Sequence, residues 1–172
     1  MHPLDKFAFC PVCGSRAFEI HDEKSKCCRD CGFIYYANPL SATVAFIRNA
    51  QGQLLVARRA KEPAKGTFDL PGGFVDMDET GEEGIKREIL EETGLVVEHA
   101  NYLFSIPNLY VYSGMPLHTL DMFYEVHVET DTNPLAADDV ASLQWMDLDE
   151  VNPKDFGLQS ISQGVARYLL NR

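Results

Sequence analysis

Residues 87–95 read "REILEETGL", and the placement of their carboxylates poses a physical question. On a helix, Glu88, Glu91 and Glu92 stand at i, i+3 and i+4, so their side chains share one face. Like charges at those spacings repel by a few tenths of a kcal/mol per pair. Glu91 and Glu92 also fall at the C-terminal end, where the helix dipole favours cations. The helix itself has clear ends. Thr80-Gly-Glu-Glu83 fits a capping box with Thr80 as N-cap, and Gly94 suits the left-handed position that closes a helix. Ile85 and Ile89, one turn apart, should face the core. Two readings of the carboxylate row stay open. It is a solvated acidic face, or it holds a divalent cation such as Mg²⁺, which takes one or two carboxylates together with waters and substrate phosphates.

Outward from this helix, the pattern is mixed. "SATVAFIRN" (41–49) and "QLLVARR" (53–59) read as strands joined through "AQG" in a hairpin. "TFDLPGGFV" (67–75) is a short extended segment bent at Pro71-Gly72-Gly73. Further strands are expected at 96–106, 108–113, 118–129 and 142–148, and apolar residues at Leu158, Ile161, Val165 and Leu169 predict a closing helix. Strands and helices in this order argue a mixed α/β fold, a mixed sheet covered by helices. The chain of 172 residues is 45% hydrophobic, enough for one ordinary domain and a small appendage. No apolar run approaches the ~20 residues of a membrane helix, and the N-terminus lacks a signal-peptide pattern, so the cytoplasm is the expected location and no membrane partner is expected.

The appendage is announced by cysteine. "CPVC" (10–13) and "CRDC" (28–31) are two C-x2-C pairs, each followed by glycine. Such pairs read as a four-thiolate zinc site through Cys10, Cys13, Cys28 and Cys31, with Cys27 a spare thiol. Glycine after the second thiolate lets the chain turn tightly enough for backbone N–H groups to point at sulfur. Residues 1–39 are expected to form this ribbon, stapled by its metal, and residues 40–172 the larger domain.

The net charge of −11 is unevenly spread. Residues 72–95 carry eight acids against Lys86 and Arg87, whereas residues 1–40 balance at five and five. A polyanion needs Lys and Arg to neutralise it, so no nucleic-acid polymer is expected as partner. A small phosphate compound could bind through bridging cations. Arg58, Arg59, Lys61 and Lys65 either assist it or form a solvated basic loop.

The full spacing from Gly73 narrows these options. Five residues lead to Glu79, seven more to Arg87, and then follow Glu88-Ile-Leu-Glu91-Glu92-Thr-Gly94-Leu95. This resembles the signature of the Nudix hydrolases, G-x5-E-x7-R-E-U-x-E-E-x-G-U with U apolar, at every fixed position. "FDLPGGFVD" before the box and Trp145 with "LDEV" after it look like family flanks, and the resemblance covers about residues 41–170. It implies a Nudix-type α/β/α sandwich preceded by the zinc ribbon. It also implies hydrolysis of a nucleoside diphosphate linked to another group with Mg²⁺ or Mn²⁺. By that resemblance Glu88, Glu91 and Glu92 are metal ligands, joined by the Gly73 carbonyl. Arg87 and Glu79 orient them, and Glu91 or Glu92 accepts the proton of the attacking water. In some members the base comes from a late loop; Asp138 and Asp139 are candidates here. Ser142 stands where relatives often carry Glu, which leaves the base unassigned.

A ribbon before such a domain resembles the layout of NADH pyrophosphatases. Their S-Q-P-W-P-F-P-x-S stretch is replaced here by "SIPNLYVYS" (105–113), in which Tyr110 and Tyr112 either stack on a base or pack the strand. The small-molecule ligand is therefore expected to be of ADP-ribose, nucleotide-sugar or NADH type. A second copy of the chain is a further candidate partner. The competing classes are a nucleotide sensor without turnover and a ribbon that reads nucleic acid. Retention of every box carboxylate argues against the first, and the neutral ribbon on an acidic domain against the second.

Overall fold

The structure is a computed structural model and describes residues 2–128 and 133–171. Its organising strand is β4 (Leu40–Ile47), which pairs in parallel with β8 (Met115–Val128), from Leu40 opposite Thr119 to Ile47 opposite Val126. β8 in turn pairs antiparallel with β7 (Val97–Tyr112). The other edge of β4 is taken by the Pro71–Val75 segment: Ala45 N–H donates to the Pro71 carbonyl (2.8 Å), Thr43 N–H to that of Gly73 (2.8 Å), and Val75 N–H to that of Ser41 (3.0 Å). A second, antiparallel sheet runs in the order β6 (Phe68–Asp69), β5 (Leu54–Arg59), β9 (Val140–Met146).

One helix covers each face. Val44 and Phe46 of β4, Leu54 and Val56 of β5 and Phe123 of β8 form a core with Ile161, Val165 and Tyr168 of α2 (Gln159–Leu170). The alternate residues Ala45, Ile47, Leu55, Tyr124 and Val126 pack on Ile85 and Ile89 of α1 (Gly81–Thr93). Strands buried on both faces read as continuous apolar runs, as β4 and β5 do. The result is the expected α/β/α sandwich with parallel and antiparallel pairing.

Three expectations change. The 41–59 hairpin makes its turn, with Asn49 N–H on the Gln53 carbonyl (3.1 Å) and one bridge between Arg48 and Leu54. The strands then part into separate sheets, because the edges of β4 are already filled by the 71–75 segment and β8, and those of β5 by β6 and β9. The segments expected at 96–106 and 108–113 form one strand through Pro107. A missing N–H is tolerated there because β7 is an edge of its sheet. β8 begins at Met115, ahead of the expected 118, and β9 spans Val140–Met146 rather than 142–148. Glu129, the expected last residue of that strand, lies outside the described residues.

The N-terminal part is a three-stranded antiparallel sheet of β1 (Phe18–Asp22), β2 (Ser25–Cys28) and β3 (Ile34–Tyr36). Its small core joins Phe18 to Cys10 and Cys28, with Phe7 and Phe33 against them. Among the described residues, no helix is long and apolar enough to cross a membrane.

Candidate active site

Helix α1 delivers the carboxylate row. Thr80 Oγ1 accepts from Glu83 N–H (3.2 Å), and the Glu83 carboxylate accepts from Thr80 N–H (2.8 Å), closing the capping box; Gly94 ends the helix in the left-handed region. With Ile85 and Ile89 fully buried, Glu88 and Glu92 are drawn inward, while the Glu91 side chain stays 50% exposed. The Glu92 carboxylate accepts from Gly72 N–H at 2.9 Å. A Cβ at Gly73 would lie 2.5 Å from the Glu88 carboxyl carbon, so glycine is what lets the turn and the helix approach this closely.

Arg87 ties the row together. Its guanidinium donates to both oxygens of Glu79 (2.9 Å each), to Glu88 (2.9 Å), to Glu91 (3.1 Å) and to the Phe74 carbonyl (2.9 Å). This planar fork fixes three carboxylates and the Gly-rich turn at once. Arg87, with help from Asp76 N–H, holds the Glu79 carboxyl below its usual range. Burial pushes Glu88 up, opposed by Arg87. Burial also pushes Glu92 up, to about 8, against the Gly72 hydrogen bond and with added repulsion from Glu88, Asp69 and Asp139. Glu92 has no cationic partner among the described residues. The oxygen-only donor set with uncompensated buried charge fits a hard divalent cation. The Gly73 carbonyl, expected as a further ligand, accepts from Thr43 N–H (2.8 Å) and from the Thr43 hydroxyl (3.3 Å).

The late loop is pinned to the end of α1. Ala137 N–H donates to the Glu92 carbonyl (3.0 Å) and Leu135 N–H to that of Thr93 (2.9 Å), which satisfies two orphan carbonyls. Asp138 and Asp139 follow directly, and their charges reach Glu88 and Glu92 respectively. Asp139 pairs with Lys61, and Ser142 is exposed on β9 opposite Arg58.

A pocket of about 170 Å³ adjoins Glu92, lined also by Gly72, Gly73, Phe74, Tyr110, Arg58, Arg59 and Asp139. Of the expected substrate contacts, Arg58, Arg59 and Tyr110 thus gather there. Tyr112 does not line it; its ring stacks on Tyr110 at 6.2 Å. Arg59 is engaged with Asp69 and with the Pro63 carbonyl (2.7 Å). The sequence reading missed Asp69, Thr119 and Asp121, which also line this pocket. The signal was a charged residue inside each of two apolar strand segments, "TFDLP" and "TLDMF".

In the ribbon, one sulfur each from Cys10, Cys13, Cys28 and Cys31 lie within 4.8 Å of one another. The Cys10–Cys31 and Cys13–Cys28 sulfurs are 3.7 and 3.6 Å apart. A tetrahedron with Zn–S of about 2.3 Å has edges close to these lengths. The Cys31 and Asp30 N–H groups hold the Cys28 thiol down at about 7, against its burial. Gly14 and Gly32 take positive φ and donate back to the Cys10 and Cys28 carbonyls at 2.9 Å. Cys27 stands outside the cluster.

The fold and the box carried on α1 define the class, and comparison with known proteins agrees. The NUDIX domain family model matches residues 38–165. The chain belongs to the Nudix hydrolase family. The chain is 29% identical over 154 residues to the NAD-capped RNA hydrolase NudC of Vibrio cholerae, covering 88% of this chain and 54% of that one. With NudC of Haemophilus influenzae it shares 27% over 154 residues, at 89% and 56% coverage. The chain thus spans about half the length of the curated relatives it matches. Among solved structures, a NUDIX hydrolase from Nitrosomonas europaea superposes with a TM-score of 0.74 at 23% identity, over 95% of this chain and 91% of that one. The NUDIX domain of Shewanella oneidensis NrtR, solved with ADP ribose, gives 0.62 at 21% identity, over 78% and 90%. Both likenesses are of fold.

Proposed function

We propose that this protein is a divalent-metal-dependent pyrophosphohydrolase acting on a nucleoside diphosphate linked to a second group, with ADP-ribose preferred over NADH. The observation that carries this reading is Glu92: a buried carboxylate with no cation partner among the described residues, beside Glu88 and at the wall of a pocket that adjoins the box. Glu88, Glu91 and Glu92 would hold Mg²⁺ or Mn²⁺. The bound ion supplies charge neutralisation for the pyrophosphate and a water of lowered pKa. Arg87 and Glu79 would keep Glu88 and Glu91 in register, while Gly72 N–H steadies Glu92. Asp138 and Asp139, on the loop bonded to the helix end, are candidates to accept the proton of the attacking water, as are Glu91 and Glu92. Residues 1–39 would form a zinc-stapled ribbon on Cys10, Cys13, Cys28 and Cys31, and residues 40–172 the catalytic domain. ADP-ribose ranks first because residues 105–113 depart from the stretch associated with NADH.

A second reading is hydrolysis of an NAD-capped RNA, favoured by the activity for which the NudC relatives are named. The charge of −11 opposes it, because the RNA phosphates beyond the cap find few bases on this surface. The test is a panel of ADP-ribose, nucleotide sugars, NADH, nucleoside triphosphates and NAD-capped RNA, with Mg²⁺ or Mn²⁺ in heavy-oxygen water. Label entering a phosphate of the small diphosphates supports the proposal. Turnover confined to triphosphates or RNA ends overturns the substrate class, and tight binding without turnover favours a sensor.

A further inference from the structure

The lining of the pocket beside Glu92 also includes Asp121. This residue of β8 is 5% exposed. One carboxylate oxygen accepts from the Thr119 hydroxyl at 2.6 Å, the other from the Ser160 hydroxyl of α2 at 2.5 Å. No cation pairs with it among the described residues. The nearby buried carboxylate, Asp69, takes the pocket's Arg59 for itself. A carboxylate oxygen accepts about two hydrogen bonds, so each Asp121 oxygen keeps a lone pair after its hydroxyl is counted.

We propose that Asp121 is a specificity-determining acceptor that reads an N–H donor on the aromatic heterocycle of the substrate. This rests on the pyrophosphohydrolase reading and adds the orientation of the substrate in the pocket. The uncompensated charge of Asp121 repels phosphate, so the diphosphate belongs beside Glu92, where bound cations would neutralise it. The heterocycle then occupies the remainder, along the wall where Phe74 and Tyr110 meet edge-on at 6.1 Å and offer ring surface for packing. An exocyclic amine or a carboxamide satisfies Asp121. A carbonyl or carboxylate at the same place leaves it unpaired or repelled, which costs far more than a lost contact at a solvated site. The shared chemistry is an N–H-bearing heterocycle, and an adenine amine and a nicotinamide carboxamide are its two sources. Asp121 also anchors the first turn of α2, whose N-cap, Leu158, supplies no side-chain cap; a purely anchoring role would be indifferent to the ligand's functional groups.

Calorimetric binding of monophosphates separates these roles without any need for hydrolysis. The ligands are AMP against purine riboside 5′-monophosphate, which lacks the amine, and nicotinamide mononucleotide against nicotinic acid mononucleotide, which replaces the amide by a carboxylate. The wild-type protein is expected to bind the donor-bearing member of at least one pair about tenfold more tightly or better, and the pair that discriminates identifies the source. Asp121→Asn, which removes the charge and half the acceptors, is expected to cut that discrimination at least about threefold; the wild-type comparison stands whether or not the variant folds. Equal affinity within both pairs, no binding of either donor-bearing ligand, or full discrimination retained by Asp121→Asn would overturn the proposal. Failure of the pyrophosphohydrolase reading shows separately, as absence of label incorporation.

Discussion

Glu92 is 8% exposed and meets one backbone N–H, so its ionised form is held against burial and three other carboxylates, and its pKa rises to about 8. The folded chain therefore binds this proton more tightly than the unfolded chain, whose carboxyl titrates near 4.5. Stability from this group is fully present below pH ~4.5 and is lost as pH rises through about 8. Metal-free protein should accordingly lose melting temperature between pH 5 and 8 through this site. Saturating Mg²⁺ should restore it at the upper end, and Glu92→Gln should flatten the dependence. Differential scanning fluorimetry in buffers without chelator checks all three. Glu92→Gln and Glu88→Gln should each cut turnover about 100-fold or more, because on the proposed reading each removes charge that would hold the metal at the transition state; steady-state kinetics on a verified substrate checks this. At this scale the box residues could be read from sequence because their spacing is fixed by helix geometry. Asp69 and Asp121 could not, since what gives them meaning is a pocket assembled from β4 to β9 and α2.

Among elements, α1 and the ribbon were legible for the same reason: their constraints are local. Thr80, Glu83 and Gly94 mark the helix within fifteen residues, and the two C-x2-C turns define the thiolate cluster. The hairpin at 41–59 was misread because its turn is local but its strand partners are not. The segment after Pro71 and strand β8, far along the chain, fill both edges of β4. Thr80→Ala should destabilise the protein by about 1 kcal/mol through loss of the cap, with the metal row in place, as denaturant unfolding will show. Removal of zinc should unfold residues ~7–38, because this small core is too slight to stand without its metal. Hydrogen exchange before and after chelation checks this, and Cys27→Ser should leave both zinc content and exchange unchanged. Metal analysis showing no zinc would refute the assignment.

Across the whole molecule, the sandwich brings together a carboxylate row from α1, a Gly-rich turn held along β4 and a late acidic loop pinned to the helix end. The acidic surface fits a ligand that is small and arrives with its own cations, and it disfavours a polymer. The central claim is that this convergence is a divalent-cation centre. Its most direct test is Mn²⁺ affinity, read by electron paramagnetic resonance from the free aqua ion, in the wild type and in Glu92→Gln with zinc retained in the ribbon. Saturable binding by the wild type is expected, with an affinity at least about tenfold weaker in the variant. Equal affinity in the two proteins, or no binding by the wild type, would contradict it.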